Sequence, residues 1–325
     1  MRHISFFTRS FMNFSEKISF TRFLLLLLPI AIAAGCSTGV ESVRHITDRD
    51  VERHFEATRA AAPSLAPFVD SLPRWRPGKR FYVTDNQARL LFENSADYSL
   101  DTLRLGGTVV TFTGFDHATT LDNRQVVRII LRDARGHRLV YNTGKELEAL
   151  TPDFDIPLLI DLDMVEHYAR LLEGKTFYIL SRQWYHPHNE QPIAGRKYVA
   201  VTIDSVLPGN KVVPLRLMFT DVGTRQKAMI LLSAGDDAMK TRTFDALFSA
   251  NDPRRQHRNI TDDTWRMIVD GKVKDGMTKD ECRLSLGEPR NIRRAPDQEG
   301  MHEFWIFDNG STLRFDDGVL NLIRN

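Results

Sequence analysis

The chain of 325 residues carries 44 Lys+Arg against 42 Asp+Glu, with 42% hydrophobic and 26% charged residues, an ordinary globular balance. Residues 1–35 hold four of the basic residues and one acid, so without them the formal charge falls from +2 to −1, and no Lys/Arg stripe remains to neutralise nucleic-acid phosphates. The two cysteines, Cys36 and Cys282, exclude a disulfide framework.

The first element is an apolar run of thirteen residues, Phe23 to Gly35, behind Arg2, Arg9, Lys17 and Arg22. This is the pattern of a signal peptide. A transmembrane helix needs about 20 apolar residues to cross a ~30 Å core, and Pro29 interrupts this shorter run. The run ends in Ala33-Ala34-Gly35-Cys36, which resembles the lipobox of bacterial lipoproteins. That resemblance implies cleavage before Cys36, acylation of its sulfur and, with Ser37 rather than aspartate following, delivery to the outer membrane. Ala31-Ile32-Ala33 also suits ordinary signal peptidase, and Met12 is an alternative start to Met1. Gly35-Cys36-Ser37-Thr38-Gly39 fits a serine-nucleophile pattern, but it spans the cleavage site and lacks the strand and helix that strain such a serine into place.

Ser37 to Arg44 has no periodicity and reads as a tether. A helix follows, with Thr47 as cap, Ile46 and Val51 as staple, and Val51, Phe55, Thr58 and Ala62 on one face; Pro63 stops it. From Gly78 the period changes to two, and Phe81 to Val83, Arg89 to Phe92, Leu103 to Phe115, Val126 to Arg132 and Arg138 to Tyr141 read as strands. Asp163 with Glu166 makes a capping box for a second helix with Val165, Tyr168, Ala169 and Leu172 on one face, closed by Gly174. Strands return at Phe177 to Leu180, Tyr198 to Val206, Leu215 to Phe219 and Ala228 to Leu232.

The two β stretches read as a tandem repeat. Gly78-Lys79-Arg80-Phe81-Tyr82-Val83 matches Gly174-Lys175-Thr176-Phe177-Tyr178-Ile179, and Arg128 to Asp133 matches Arg216 to Asp221 in the same order. Each unit has about 70 residues, the size of a small SH3-like or OB-like barrel. The Leu-Asn-Val-Arg signature of wall-binding SH3-like repeats is missing from the sequence.

Beyond the polar linker 251–259, Thr261 caps a helix stapled by Ile260 and Trp265, and Thr278 with Glu281 forms a capping box for another helix ending at Gly287. Phe304 to Phe307, Thr312 to Phe315 and Val319 to Ile323 then form a meander, with Asn309-Gly310 and Asp317-Gly318 as type I′ turns. This α-α-β-β-β order, with Gly276-Met277-Thr278, Leu286-Gly287-Glu288-Pro289, Phe304-Trp305-Ile306-Phe307 and Leu313 to Val319, resembles the SmpA/OmlA, or BamE-like, family. The resemblance covers Ile260 to Asn325 and implies a non-catalytic module that binds proteins or lipid headgroups. Here the module lies about 220 residues from the anchor in sequence, unlike its family. On the meander, Phe304 and Ile306 face one side, Trp305 and Phe307 the other. Phe304, Trp305 and Phe307 are therefore either core or a recognition patch, since aromatic side chains dominate binding hot spots.

Catalytic chemistry does not assemble in the sequence. His186 and His188 with Glu190 fall short of a metal ligand set, so neither metal nor cofactor is expected. His45, Asp48, Glu52 and His54 read as a solvated helix face, and Asp153, Asp155, Asp161 and Asp163 as acids favoured around a helix N-terminus. Cys282 reads as a buried structural thiol.

The expected fold is α+β, predominantly β: signal peptide 1–35, tether and helix 36–75, β unit 76–150, linking helix 151–173, second β unit 174–250, linker 251–259 and α+β domain 260–325. The expected function is a non-enzymatic, lipid-anchored envelope scaffold at the outer membrane, held by Cys36 and partnered by envelope proteins, not by nucleic acid. The alternatives are an envelope enzyme or enzyme inhibitor acting on wall polymer or protein, and a small-molecule or lipid carrier.

Overall fold

The computed structural model describes residues 41–45, 65 and 68–324, apart from 97, 100, 152–153, 235–239 and 298–299. The leader, Cys36 and the helix expected after Thr47 lie outside the described residues. With 38% strand against 20% helix the protein is α+β and predominantly β, built on three antiparallel sheets. None of the described helices is long and apolar enough to cross a membrane.

The tether contains a strand, β1 (Glu41–His45). The first sheet holds β2 (Arg80–Val83), β3 (Val109–Thr119), β4 (Gln125–Arg132), β5 (Arg138–Asn142) and β6 (Leu159–Asp161), in the order β5-β4-β3-β2-β6. Arg89 to Phe92 is not a strand. Asp85 accepts the Gln87 amide at 2.8 Å and starts a 3-10 turn over Asn86–Leu91, a run without β-branched residues. Leu103 and Leu105 enter the core ahead of β3, and Gly107, at φ 78°, turns the chain into it.

Helix α1 (Leu162–Leu172) is capped by Asp161 rather than Asp163, the Asp163 amide donating to Asp161 Oδ1 at 2.9 Å. The second sheet follows with β7 (Thr176–Ile179), β8 (Gln183–Tyr185), β9 (Pro192–Ala194), β10 (Val199–Pro208), β11 (Leu215–Asp221) and β12 (Lys227–Leu232). After the short α2 (Phe244–Leu247) comes β13 (Phe248–Ser249), giving the order β13-β7-β10-β11-β12-β8-β9.

The two sheets share a topology and a register. Phe81 lies opposite Val110 as Phe177 lies opposite Val201, and Leu131 lies opposite Phe112 as Phe219 lies opposite Ile203. The long strand is bulged at the same place in each, between Phe112 and Gly114 and between Ile203 and Ser205. Entry to the first strand is also equivalent: Gly78 (φ 101°) donates to Phe112 O and Gly174 (φ 74°) to Ile203 O. A β-carbon would disfavour both conformations. The short β6 and β13 occupy the same edge, each beside the strand that starts its unit. Both ladders are open: no strand pairing joins β5 to β6 or β9 to β13 among the described residues.

α1 lies between the units. Val165, Tyr168 and Leu172 fill the core of the second sheet, whose other large side chains include Trp184, Phe219 and Phe248. Its polar side meets the first unit, where Lys79 Nζ lies 2.9 Å from Asp70, 2.7 Å from Asp161 and 2.9 Å from Asp163. The first core is separate and packs Leu72, Trp75, Phe81, Phe112, Ile129 and Leu131.

The linker is a 3-10 turn over Pro253–Gln256 capped by Asp252, with Pro253 buried. In the C-terminal module, α3 (Asp262–Val269) and α4 (Lys279–Leu286) carry the expected caps, Thr261 and the Thr278–Glu281 box. The sheet they cover has more strands than the α-α-β-β-β pattern. β14 (Asn291–Asp297) precedes β15 (Gly300–Ile306), β16 (Thr312–Asp316) and β17 (Val319–Arg324), and β1 pairs antiparallel with β14. β14 is hidden in sequence because Ile292 is its one buried apolar residue. Asp317 (φ 50°) and Gly318 (φ 85°) make the I′ turn, whereas at Asn309-Gly310 only the glycine (φ 85°) is left-handed. That loop is therefore a type I turn closed by a glycine bulge, with Phe307 N donating to Ser311 O and Gly310 N to Phe307 O, each at 3.0 Å.

Candidate interaction site

The aromatic strand β15 divides its side chains between two faces. Trp305 is fully buried and Phe307 nearly so, both packed with Ile268, Leu313 and Phe315 beneath the helices. They are core, not an exposed patch, because α3 and α4 cover that face. The Trp305 indole lies 4.6 Å from the Phe315 ring, and the Arg283 guanidinium lies 4.5 Å from the indole centroid. Phe304 is half-buried on the opposite face, between Arg293 and Arg314 of the neighbouring strands.

Trp305 also organises an ion cluster that sequence reasoning missed. Its Nε1 donates to Glu303 Oε1 at 2.6 Å, while Arg294 Nε and Lys279 Nζ hold the other carboxylate oxygen at 2.9 and 3.0 Å. Burial works to raise the Glu303 pKa, but these donors more than offset it and hold it below the ordinary range. Glu303 and Trp305 alternate with Phe304 on one strand, a period-two signal, yet the partners Lys279 and Arg294 come from other elements.

The module is docked on the second unit through Arg182 and the corner Arg196-Lys197-Tyr198. Tyr198 adopts φ 60°, a left-handed conformation that costs a bulky residue about 1–3 kcal/mol. Its ring stacks on Trp265, centroids 5.5 Å apart. Lys197 N donates to Val269 O at 3.1 Å, Arg182 Nη1 to Asp270 O at 3.1 Å, and Arg196 bridges Asp221 and Asp270 at 3.1 and 3.6 Å. These cations meet the carbonyl end of α3, where the helix dipole favours positive charge. A β-carbon on Gly271 would fall 1.8 Å from Arg182 Cζ, so the close approach requires glycine. The Lys197 amine is buried with no carboxylate within 4 Å among the described residues. Burial and the neighbouring Arg182 lower its pKa to about 7.

Other marked residues do not converge. His186 and His188 sit on the exposed β8–β9 loop with rings 5.7 Å apart, and Glu190 pairs with Arg216 instead. Among the described residues no group of three or more His, Cys, Asp or Glu is placed to hold a metal ion. Cys282 is buried, and burial with Glu281 nearby pushes its thiol pKa up to about 12. Asp161 and Asp163 do come together, on Lys79: burial works to lower the lysine pKa, but its three acids raise it overall. Asp161, the most enclosed, has its own pKa raised by burial.

No family model matches the chain, and neither a curated protein nor a solved structure matches it.

Proposed function

We propose that this protein is a non-enzymatic bacterial lipoprotein of the outer membrane, anchored through Cys36, in which a BamE-like C-terminal module and two small β units serve as envelope interaction surfaces. One observation carries the reading. β1 begins five residues after Cys36 and pairs with β14 of the C-terminal sheet. The module is about 220 residues from the cysteine along the chain, yet an extended link of five residues reaches only roughly 17 Å. A lipid on Cys36 would therefore hold the C-terminal sheet against the bilayer, as in the small lipoproteins whose entire fold follows the anchor.

The open meanders, with a fifth strand beside the first, are in this reading SH3-like or OB-like in size and serve as spacers or binding platforms. The carrier alternative needs a hollow interior, whereas both cores are filled, by Phe112, Ile129 and Leu131 in one and by Trp184, Phe219 and Phe248 in the other. The test is a crosslinked pull-down of the full protein from its own envelope, with Cys36→Ala as comparison. Recovery of barrel-assembly components by the wild type but not by the variant supports the proposal. Recovery of wall polymer, or equal recovery by both proteins, overturns the anchored-module reading.

A further inference from the structure

The two units differ at one place that their shared register makes comparable. β2 pairs with β3 only over Val109–Thr111, and the backbone contacts of Gly78 and Lys79 extend the cover to Phe112. From residue 113 to 119, β3 has no strand partner on that side among the described residues and is the free edge of its sheet. The direction of its backbone groups follows from β4: Val127 donates to Lys145 O and accepts from Thr143 N, so neither of its groups serves His117 opposite. His117 therefore points its amide and carbonyl outward, and strand alternation does the same for Phe115 and Thr119.

In the second unit the equivalent edge is closed. The Val206 amide, which corresponds to that of Phe115, donates to Glu173 Oε1 at 2.9 Å just after α1, and the strand stops at Pro208. Among the described residues, neither device exists in the first unit. The segment preceding β2 contains Pro67 and Pro73, which disfavour a helix like α1. Phe115 is 38% exposed, and Leu121 at the hairpin tip is fully exposed. Long unprotected edges pair with other strands.

We propose that residues 113–119 of β3 pair antiparallel with the same segment of a second copy of this chain, joining the two first sheets across a twofold axis at His117. The edge is self-complementary in this register. Phe115 lies opposite Thr119 of the other copy and Asp116 opposite its Ala118, so no like carboxylates face each other. Beside the edge, Asp116 is held by Arg128 at 2.8 Å and Arg138 at 3.4 Å, with Glu93 3.3 Å from Arg128, so two acids balance two bases in each copy. The tip residue Leu121 is carried toward the Thr113 end of the other copy, which covers its apolar surface.

Sedimentation of the full chain in detergent should show a monomer–dimer equilibrium in the micromolar range. His117→Pro removes an outward amide at a position where an edge strand tolerates proline. It should weaken the dimer at least about tenfold through two lost hydrogen bonds. A folding-independent readout is oxidation of His117→Cys, which should give a crosslinked dimer, whereas Asn189→Cys on the β8–β9 loop should not. A monomeric wild type, a dimer undiminished by a folded His117→Pro, or equal crosslinking at both cysteines overturns the proposal.

Discussion

Lys197 places a buried amine at the module joint, 5.0 Å from the Tyr198 ring and without a carboxylate within 4 Å among the described residues. Its folded pKa, about 7, lies below the ordinary lysine value of 10.5, so the unfolded chain binds more protons between those two pH values. Stability therefore rises as pH increases from 7 to 10.5, by up to about 1.4 kcal/mol per unit for one proton. Lys197→Met should remove that slope in urea titrations and stabilise the protein by about 1–3 kcal/mol at pH 7. An unchanged slope would show that the amine reaches water or an acid. Trp305→Ala should cost about 3–5 kcal/mol as a core truncation, and Phe304→Ala about 1 kcal/mol. Equal costs in thermal or chemical unfolding would contradict the faces assigned to β15. Alternation in Phe304 to Phe307 made the division of faces legible, but not which face the helices take. Tyr198 gave no such signal, because its left-handed conformation is imposed by the joint rather than by local preference.

Among the elements, helices with local caps were readable to within a residue or two. Thr261 and Thr278 satisfy the amides their sequence positions suggest. At α1 the cap is Asp161, which accepts the Asp163 amide through Oδ1 while its Oδ2 pairs with Lys79. The longer strands with a buried apolar face were also readable, since burial enforces a period of two, whereas the two- or three-residue β6, β8, β9 and β13 are too short to show one. β1 and β14 were not readable either: β14 buries a single apolar side chain, Ile292, and the partner of β1 lies at the other end of the sequence. α1 depends on long-range charge as well as on its apolar face. Lys79→Met would leave Asp70, Asp161 and Asp163 together without a cation and should destabilise by about 3–5 kcal/mol. The repulsion raises the carboxyl pKa values in the variant, so its deficit should shrink as pH falls below 5. A deficit constant from pH 7 to pH 4 would count against this origin.

At the scale of the whole molecule, the second unit and the C-terminal module share Tyr198, which belongs to the module's core cluster while its corner belongs to the second sheet. They should unfold in one transition. Arg182→Ala with Tyr198→Ala should split that transition in calorimetry, and a wild type already showing separate peaks would refute the coupling. Because β1 adds the N-terminal end of the chain to the last sheet, the molecule is closed on itself, and this changes how it carries force. A pull on residue 41 is borne first by the β1–β14 ladder, not by the β units that follow β1 in sequence. Under a load that peels β1, the β1–β14 hydrogen bonds give way before tension can pass along the chain to either β unit. The strand would then act as a mechanical fuse, yielding ahead of the folded body it secures.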